Sequence, residues 1–406
     1  MHKELRQGNR LSLTFRGIRF EGTVVTSGNG LLTIKLRNGY NITVPVEEAI
    51  IESVTESAPF QQEKPELLEI ENPDLTIIAT GGTIASRVDY STGAVYPVLE
   101  PESLIENVPE LAESKISVHA MEPLLSENIG PDQWMNISNR VRMSMEKSRG
   151  VIVLHGTDTM AYTASAVAFM FEQQTAPVVF VGSQRSSDRP SSDAFSNLSA
   201  SILFAREDLG ETGICMHGGL NDSDITLIRA VRARKMHSSR RDAFKSIGEA
   251  PIGRLADRFV SLTGAKRRGD KIRWSGKMKD SSTLVYFHPA LQGKDVAEMG
   301  QGKEALIIMG TGLGHVSKRL YGPIKELISS GTSVFMTTQC IYGSVNLEVY
   351  STGRELLEMG VIPLYNMLPE VALVKSMYLL GNYDRTLLND LMRQNLRGEV
   401  LERELI

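Results

Sequence analysis

Apolar and polar positions alternate strictly in the first part of this chain. In Leu11-Ser12-Leu13-Thr14-Phe15 and Leu32-Thr33-Ile34-Lys35-Leu36 every second residue is apolar, the period of a strand with one face buried. Thr23-Val24-Val25 is a further short strand candidate. Arg16-Gly17, Ser27-Gly28-Asn29-Gly30 and Arg37-Asn38-Gly39 separate these runs, and Asn-Gly between alternating segments is the strongest short-range hairpin signal. The pattern predicts a small N-terminal antiparallel β-barrel of about five strands over residues 1–56. A charged, Pro-containing linker over 57–73 follows.

From Leu75 the pattern changes to near-continuous apolar runs: Leu75–Ala79, Val151–Leu154, Val178–Val181 and Gly213–Met216. Strands covered on both faces of a parallel sheet read this way. Helix-like stretches at Asp132–Ser148 and Thr163–Phe171 lie between them, and the alternation predicts an α/β domain with right-handed crossovers over residues 74–270. The polar, Gly-rich stretch 264–282 reads as a hairpin or interdomain linker. A second, smaller α/β domain over 283–406 restarts with Thr283–Phe287. It continues through Ala305–Met309, a helix at Gly322–Ser330, the strand Ser333–Thr337 and a helix near Val371–Leu380.

Composition changes this picture little. At 406 residues, 41% hydrophobic and 23% charged, with a net charge of −4, the chain is an ordinary globular protein of two or three domains, not a strongly basic nucleic-acid binder. The N-terminus lacks a signal-peptide core, and no apolar run approaches the roughly 18 residues a membrane span needs. The two cysteines, Cys215 and Cys340, sit in apolar contexts and read as buried free thiols of a reducing compartment, so the expected location is the cytoplasm.

Two strand ends carry candidate chemistry. In "ATGGTIAS" (Ala79–Ser86) a buried strand runs into Gly81, Gly82 and Thr83. Paired glycines mark a positive φ or a close approach of backbone, and Thr83 on such a turn is either a rigid, exposed hydroxyl or simply a helix N-cap. In "VLHGTDTM" (Val153–Met160) a second strand ends at Gly156 and is followed by Thr157 and Asp158, which are good caps but also a hydroxyl–carboxylate pair. Ligands of open α/β sheets bind outside the carboxyl ends of the strands, so adjacent strands would bring these groups together. A threonine hydroxyl needs a base or cation network to become a nucleophile. A desolvated lysine is the natural third member. Apolar-flanked Lys245 in "DAFKSIGEAPIG" is one candidate among many, set apart from Lys266 and Lys277 in the polar stretch.

Together "TGGTIAS" and "HGTDTM" resemble the paired signature motifs of the bacterial-type L-asparaginase/glutaminase family. The likeness runs from about Leu75 to the C-terminus through "LLSENIGPDQW", "VGSQRSSDRPSSDAFSNL", "DAFKSIGEAPIG" and "GTGLGH". The resemblance implies an asparaginase-like fold with Thr83 as acyl-accepting nucleophile. Thr157, Asp158 and Lys245 then form a polar triad that activates it or supplies Thr157 as attacker. It also implies Tyr90 in "DYSTGAVY" as a lid tyrosine. Gly82 and Gly156 would line the substrate site. Ser126 and Glu127 would grip the substrate's α-carboxylate and α-ammonium, with Glu127 standing where many asparaginases carry glutamine.

Other readings are weaker. His119, His217, His237, His288 and His315 show no metal-ligand spacing, so no metal is expected. "GTGLGH" is not a dinucleotide fingerprint, and no P-loop occurs. The basic run Arg229–Arg241 reads as a solvated helix face, with an RNA phosphate contact as the alternative.

The added N-terminal barrel, "ASRVDYSTGAVYP" and "TTQCIYGSVNLEVYSTGRELLEMGVIP" resemble the GatD family of archaeal glutamyl-tRNA(Gln) amidotransferases. That resemblance implies a glutaminase passing ammonia to a GatE-type kinase/amidotransferase partner, which holds ATP, Mg and tRNA(Gln). It also implies a homodimeric core within a heterotetramer. A free-standing cytosolic L-asparaginase and a non-catalytic scaffold are the rivals.

Overall fold

A computed structural model describes residues 5–36, 41–55, 70–82, 86–88, 95–97, 108, 115–186, 191–221, 223–256 and 259–405. The N-terminal unit has five antiparallel strands, β1 (Arg10–Phe15), β2 (Ile18–Gly28), β3 (Leu31–Leu36), β4 (Asn41–Pro45) and β5 (Ala49–Thr55), laddered in the order β4-β3-β2-β1-β5. The alternating residues Leu11, Leu13, Val24, Leu32, Ile34 and Val44 form its core. Register irregularities at Ser12/Leu13 and Val24/Thr26 are the breaks through which a short sheet curls. Most of the expected linker lies outside the described residues.

The second unit is built on β6 (Leu75–Ala79), β9 (Ile116–Ala120), β10 (Gly150–Leu154), β12 (Val178–Val181) and β13 (Thr212–His217), all parallel. An antiparallel pair, β7 (Ser86–Val88) and β8 (Val95–Pro97), lies between β6 and β9 in the chain, and β11 (Phe171–Gln173) precedes β12. The four strands expected from sequence, β6, β10, β12 and β13, are thus parallel. β14 (Ile225–Arg229), β17 (Gly253–Ala256) and β18 (Phe259–Leu262) extend one edge antiparallel, giving the order β18-β17-β14-β13-β12-β10-β6-β9.

Helices α1 (Pro131–Met145), α2 (Met160–Met170) and α3 (Ala194–Arg206) cover the sheet. Alternation along β10 sends Val151 and Val153 toward α1 and α2, and Ile152 and Leu154 toward α3.

β15 (Ala233–Lys235) and β16 (Phe244–Ser246) form a separate two-stranded ladder. The basic run Arg229–Arg241 is therefore not a solvated helix face. Arg229 ends a strand, and its guanidinium is buried on Glu211 and Glu249, while Arg232 is wholly buried. Cys215 is buried as expected, but Cys340 is exposed on the loop after the third strand of the C-terminal domain. The stretch 264–282 is not a hairpin; it runs between the two domains and is anchored along its length. Its β19 (Arg273–Trp274) pairs with β11, and its backbone bonds to Gln174 and Met377.

The C-terminal domain is a parallel four-stranded sheet, β20 (Ser282–Tyr286), β21 (Ala305–Gly310), β22 (Ser333–Thr338) and β23 (Ile362–Pro363), in chain order. α4 (Gly293–Gly300), α5 (Tyr321–Ser329) and α6 (Ser351–Glu358) cover one face, and α7 (Pro369–Asn382) covers the other; α8 (Leu388–Arg393) follows. α2 and α7 pack against each other, so one apolar cluster runs through both domains. That contact explains why α2 is buried on every face except at Tyr162, and its small residues, including Ala164, Ala166 and Ala168, let the helices approach. No described helix is long and apolar enough to cross a membrane.

Candidate active site

The parallel strands lie in the order β9-β6-β10-β12-β13, where β9 is second in the chain and β6 first. Strand order therefore reverses between β6 and β10, and such a reversal opens a crevice at the carboxyl ends of those strands. Both glycine-bearing motifs leave the sheet at this crevice.

Gly81 and Gly82 adopt φ of +110° and +86°, a region closed to β-branched residues. Space forbids a side chain as well. A Cβ on Gly82 would lie 2.3 Å from the Gly156 nitrogen, and one on Gly81 2.5 Å from the Leu124 carbonyl oxygen. A Cβ on Gly156 would lie 2.7 Å from that of Ser126. The glycines thus bring three sequence-distant segments into backbone contact. Thr83 and Tyr90 lie outside the described residues.

Thr157 is buried, and neither it nor Asp158 caps α2. The N-cap is Thr159, whose hydroxyl donates instead to the Ser126 carbonyl at 2.5 Å. The capping explanation of "TDT" therefore fails, and the hydroxyl and carboxylate are free for other partners. Their partner is Lys235. Its Nζ donates to Thr157 Oγ1 at 2.8 Å and to Asp158 Oδ1 at 2.7 Å. The lysine side chain is 15% exposed and the aspartate 70% exposed, so the carboxylate faces the open side of the cleft.

Lys245, the lysine assigned from sequence, is not in this triad. Its Nζ donates to Asp242 Oδ2 at 2.8 Å and to the Gly218 carbonyl at 2.9 Å. The reason is strand geometry. Lys245 lies opposite Arg234, whereas Lys235 lies opposite Phe244, and successive residues of a strand point to opposite faces. Lys235 reaches the cleft because its segment retraces α2. Ser165 bonds the Ala230 carbonyl midway along the helix, and five residues later Lys235 arrives at Thr157 and Asp158. The sequence marks Lys235 only as a lysine inside the basic run Arg229–Arg241.

Ser126 is buried against Gly156, while Glu127 is exposed on the same turn, Ser126–Asn128. His155, just before Gly156, is fully buried. Its Nδ1 lies 2.7 Å from the Gly156 carbonyl oxygen, and its Nε2 has no partner among the described residues. Burial outweighs this hydrogen bond and lowers its pKa to about 4. Neutral imidazole thus donates its Nδ1 proton and steadies the peptide before Thr157. The neighbouring loop at Gly182–Arg185 is held by Asp193, which accepts from the Gln184 and Arg185 amides at 3.0 and 3.1 Å. Asn197 and His217 buttress that aspartate. Among the described residues no cluster of His, Cys, Asp or Glu could hold a metal.

A buried hydroxyl beside an ammonium and a carboxylate, at the strand-order reversal, is suited to moving a proton to and from a reacting group. Comparisons with known proteins place the whole chain. The families described as "Asparaginase, N-terminal" and "Glutaminase/Asparaginase C-terminal domain" match residues 74–278 and 283–392. The thermostable L-asparaginase from Thermococcus kodakarensis aligns with a TM-score of 0.73 at 30% identity, over 80% of this chain and 99% of that one. The glutamyl-tRNA(Gln) amidotransferase GatD protein of Thermoplasma acidophilum is 47% identical over 98% of this chain and 97% of its own. Its Archaeoglobus fulgidus namesake is 41% identical over 97% and 95%. The chain therefore belongs to the asparaginase/glutaminase family, within its glutamyl-tRNA(Gln) amidotransferase GatD group.

Proposed function

We propose that this chain is the glutaminase component of a tRNA-dependent amidotransferase. It would hydrolyse the side-chain amide of glutamine and release ammonia for conversion of Glu-tRNA(Gln) to Gln-tRNA(Gln) by a GatE-type partner. The observation that carries the hydrolytic part is the Lys235–Thr157–Asp158 hydrogen-bonded set beside the Gly82–Gly156 contact. Similarity to proteins of the GatD group over nearly the full chain, against 80% for the asparaginase, favours the amidotransferase role over a free-standing asparaginase.

In this reading Thr83 attacks the amide carbon, and the Thr157–Asp158–Lys235 network takes its proton and delivers one to the departing ammonia. Backbone N–H groups at the strand ends receive the oxyanion. Water then frees glutamate from the acyl-threonine, so one hard step is split into two. Tyr90 acts as the lid, and Ser126 and Glu127 grip the α-substituents. The chain needs no cofactor of its own. ATP and Mg sit on the partner, and the assembly is a cytoplasmic heterotetramer around a homodimer of this chain.

The test measures glutamine hydrolysis and Glu-tRNA amidation by the complex. Thr83→Ala should abolish the first and leave ammonia-dependent amidation intact. Lys235→Ala should slow hydrolysis by about 100-fold or more, since members of a cooperating unit lose most of its effect singly. Loss of both activities in Thr83→Ala, or normal turnover in Lys235→Ala, would refute the reading.

A further inference from the structure

Lys235 stands at the end of a slender support. The β15–β16 ladder has three residue pairs, and an isolated two-stranded ribbon is marginal in water. Its far end is closed by Arg232, which is fully buried. The Ile247 amide donates to the Arg232 carbonyl at 2.9 Å, and Arg232 Nε donates back to the Ile247 carbonyl at 2.7 Å. Arg232 Nη1 then reaches out of the catalytic domain. It donates to the carbonyls of Asn366, after β23, at 2.9 Å and of Glu399, in the C-terminal segment, at 3.1 Å.

That segment is itself laced down. The Asn366 side chain accepts from the Leu401 amide and donates to the Leu401 carbonyl. Arg397 donates to the Ala168 and Phe169 carbonyls in the last turn of α2. The Leu405 amide donates to the carbonyl of Gly248, whose φ of +77° lets the turn pack on the Arg232 guanidinium. Glu404 faces Arg232 Nη2 at 3.9 Å and accepts from the Gly343 amide at 2.7 Å.

We propose that Arg232 is a positioning residue for Lys235, and that the C-terminal segment, acting through Glu404 and the Glu399 carbonyl, holds it in place. The last residues of the chain thereby belong to the working site. The inference rests on the assignment of Lys235 to amide hydrolysis. Arg232 and Lys235 are the two ends of one short segment, and sub-ångström drift at the lysine misplaces the ammonium relative to Thr157 and Asp158. Such misplacement lowers turnover more than substrate affinity.

The test is a double-mutant cycle in the complex with its partner, with kcat and KM for glutamine as readouts. Glu404→Gln should lower kcat about 3- to 10-fold and Arg232→Met about 30- to 100-fold, with KM within about 3-fold of wild type. Arg232→Lys, which keeps the charge but not the fork, should fall between Arg232→Met and wild type. In a Lys235→Ala background Arg232→Met should have no further effect on residual kcat, because the group it positions is gone. Normal kcat in Glu404→Gln and Arg232→Lys with only a lowered melting temperature would overturn the proposal. So would an equal loss from Arg232→Met with or without Lys235. Undiminished hydrolysis in Lys235→Ala alone would instead sink the functional reading beneath it. If Arg232→Met does not fold, Glu404→Gln and Arg232→Lys crossed with Lys235→Ala decide.

Discussion

At the scale of single residues, chemistry depends on where each ionisable group finds its partner. Lys245 and Lys235 differ by the face of one ribbon, and only Lys235 meets a hydroxyl and a carboxylate. Lys245→Ala should keep glutamine turnover within about 3-fold of wild type, because its ammonium serves Asp242 and a carbonyl. A loss comparable with that of Lys235→Ala would mean that the two lysines share the work. His155 carries a second residue-scale consequence. Its folded pKa is about 4 against an ordinary 6.5, so below pH 6.5 the unfolded chain binds a proton that the folded chain refuses. Stability should therefore fall as the pH drops from 6.5 toward 4, by on the order of 3 kcal/mol. His155→Asn should flatten that slope in pH-dependent thermal melts; an unchanged slope would assign it to other groups.

At the scale of elements, the site is a product of strand order. β6 and β10 are neighbours whose continuations part at the sheet edge, and Gly82 and Gly156 let the two turns touch. Gly82→Ala places a methyl carbon in the Gly156 backbone and forces a left-handed conformation on a residue with a Cβ. Such strain costs of order 1–3 kcal/mol locally, and relief requires the β6 and β10 turns to separate. The expected outcome is a loss of glutaminase turnover of about 100-fold or more, with the fold retained by circular dichroism. Full activity would show that the turns tolerate separation. The glycines were prominent in the sequence because they interrupt apolar runs; their contact partner was not, because it comes from another strand.

At the scale of the whole molecule, the two α/β domains are tied by α2 against α7 and by Arg232 on the Asn366 and Glu399 carbonyls, and Glu399 is itself fixed within the C-terminal domain by a buried ion pair with Lys375 at 2.6 Å, both without solvent exposure. Burial opposes ionisation of Glu399, but the Lys375 ammonium and the amides of Leu396 and Arg397 outweigh it and hold the carboxyl below its ordinary range. A depressed carboxyl stabilises the fold above its ordinary pKa of 4.5 and loses that contribution as pH falls through the folded value. Glu399→Gln leaves the lysine buried with its counter-charge removed, which typically costs about 3–5 kcal/mol. The variant should melt well below wild type at pH 7, and the gap should narrow below pH 4.5. A gap independent of pH would mean that Glu399 acts through packing, not charge.

The chain sequence alone determined the class of structure, through periodicity. Alternation in residues 11–36, continuous runs such as Val151–Leu154 and the glycines after them are local properties, and each strand or turn forms from residues that are neighbours in the chain. The family motifs likewise lie within short stretches around Thr83 and Thr157. Tertiary structure alone decided the third member of the triad and its brace. Lys235 lies inside a basic run and Lys245 in an apolar-flanked stretch, and neither local context marks the lysine that meets Thr157 and Asp158. What separates them is the face of a ribbon, the path of that ribbon along α2, and an arginine anchored by residues more than a hundred positions away.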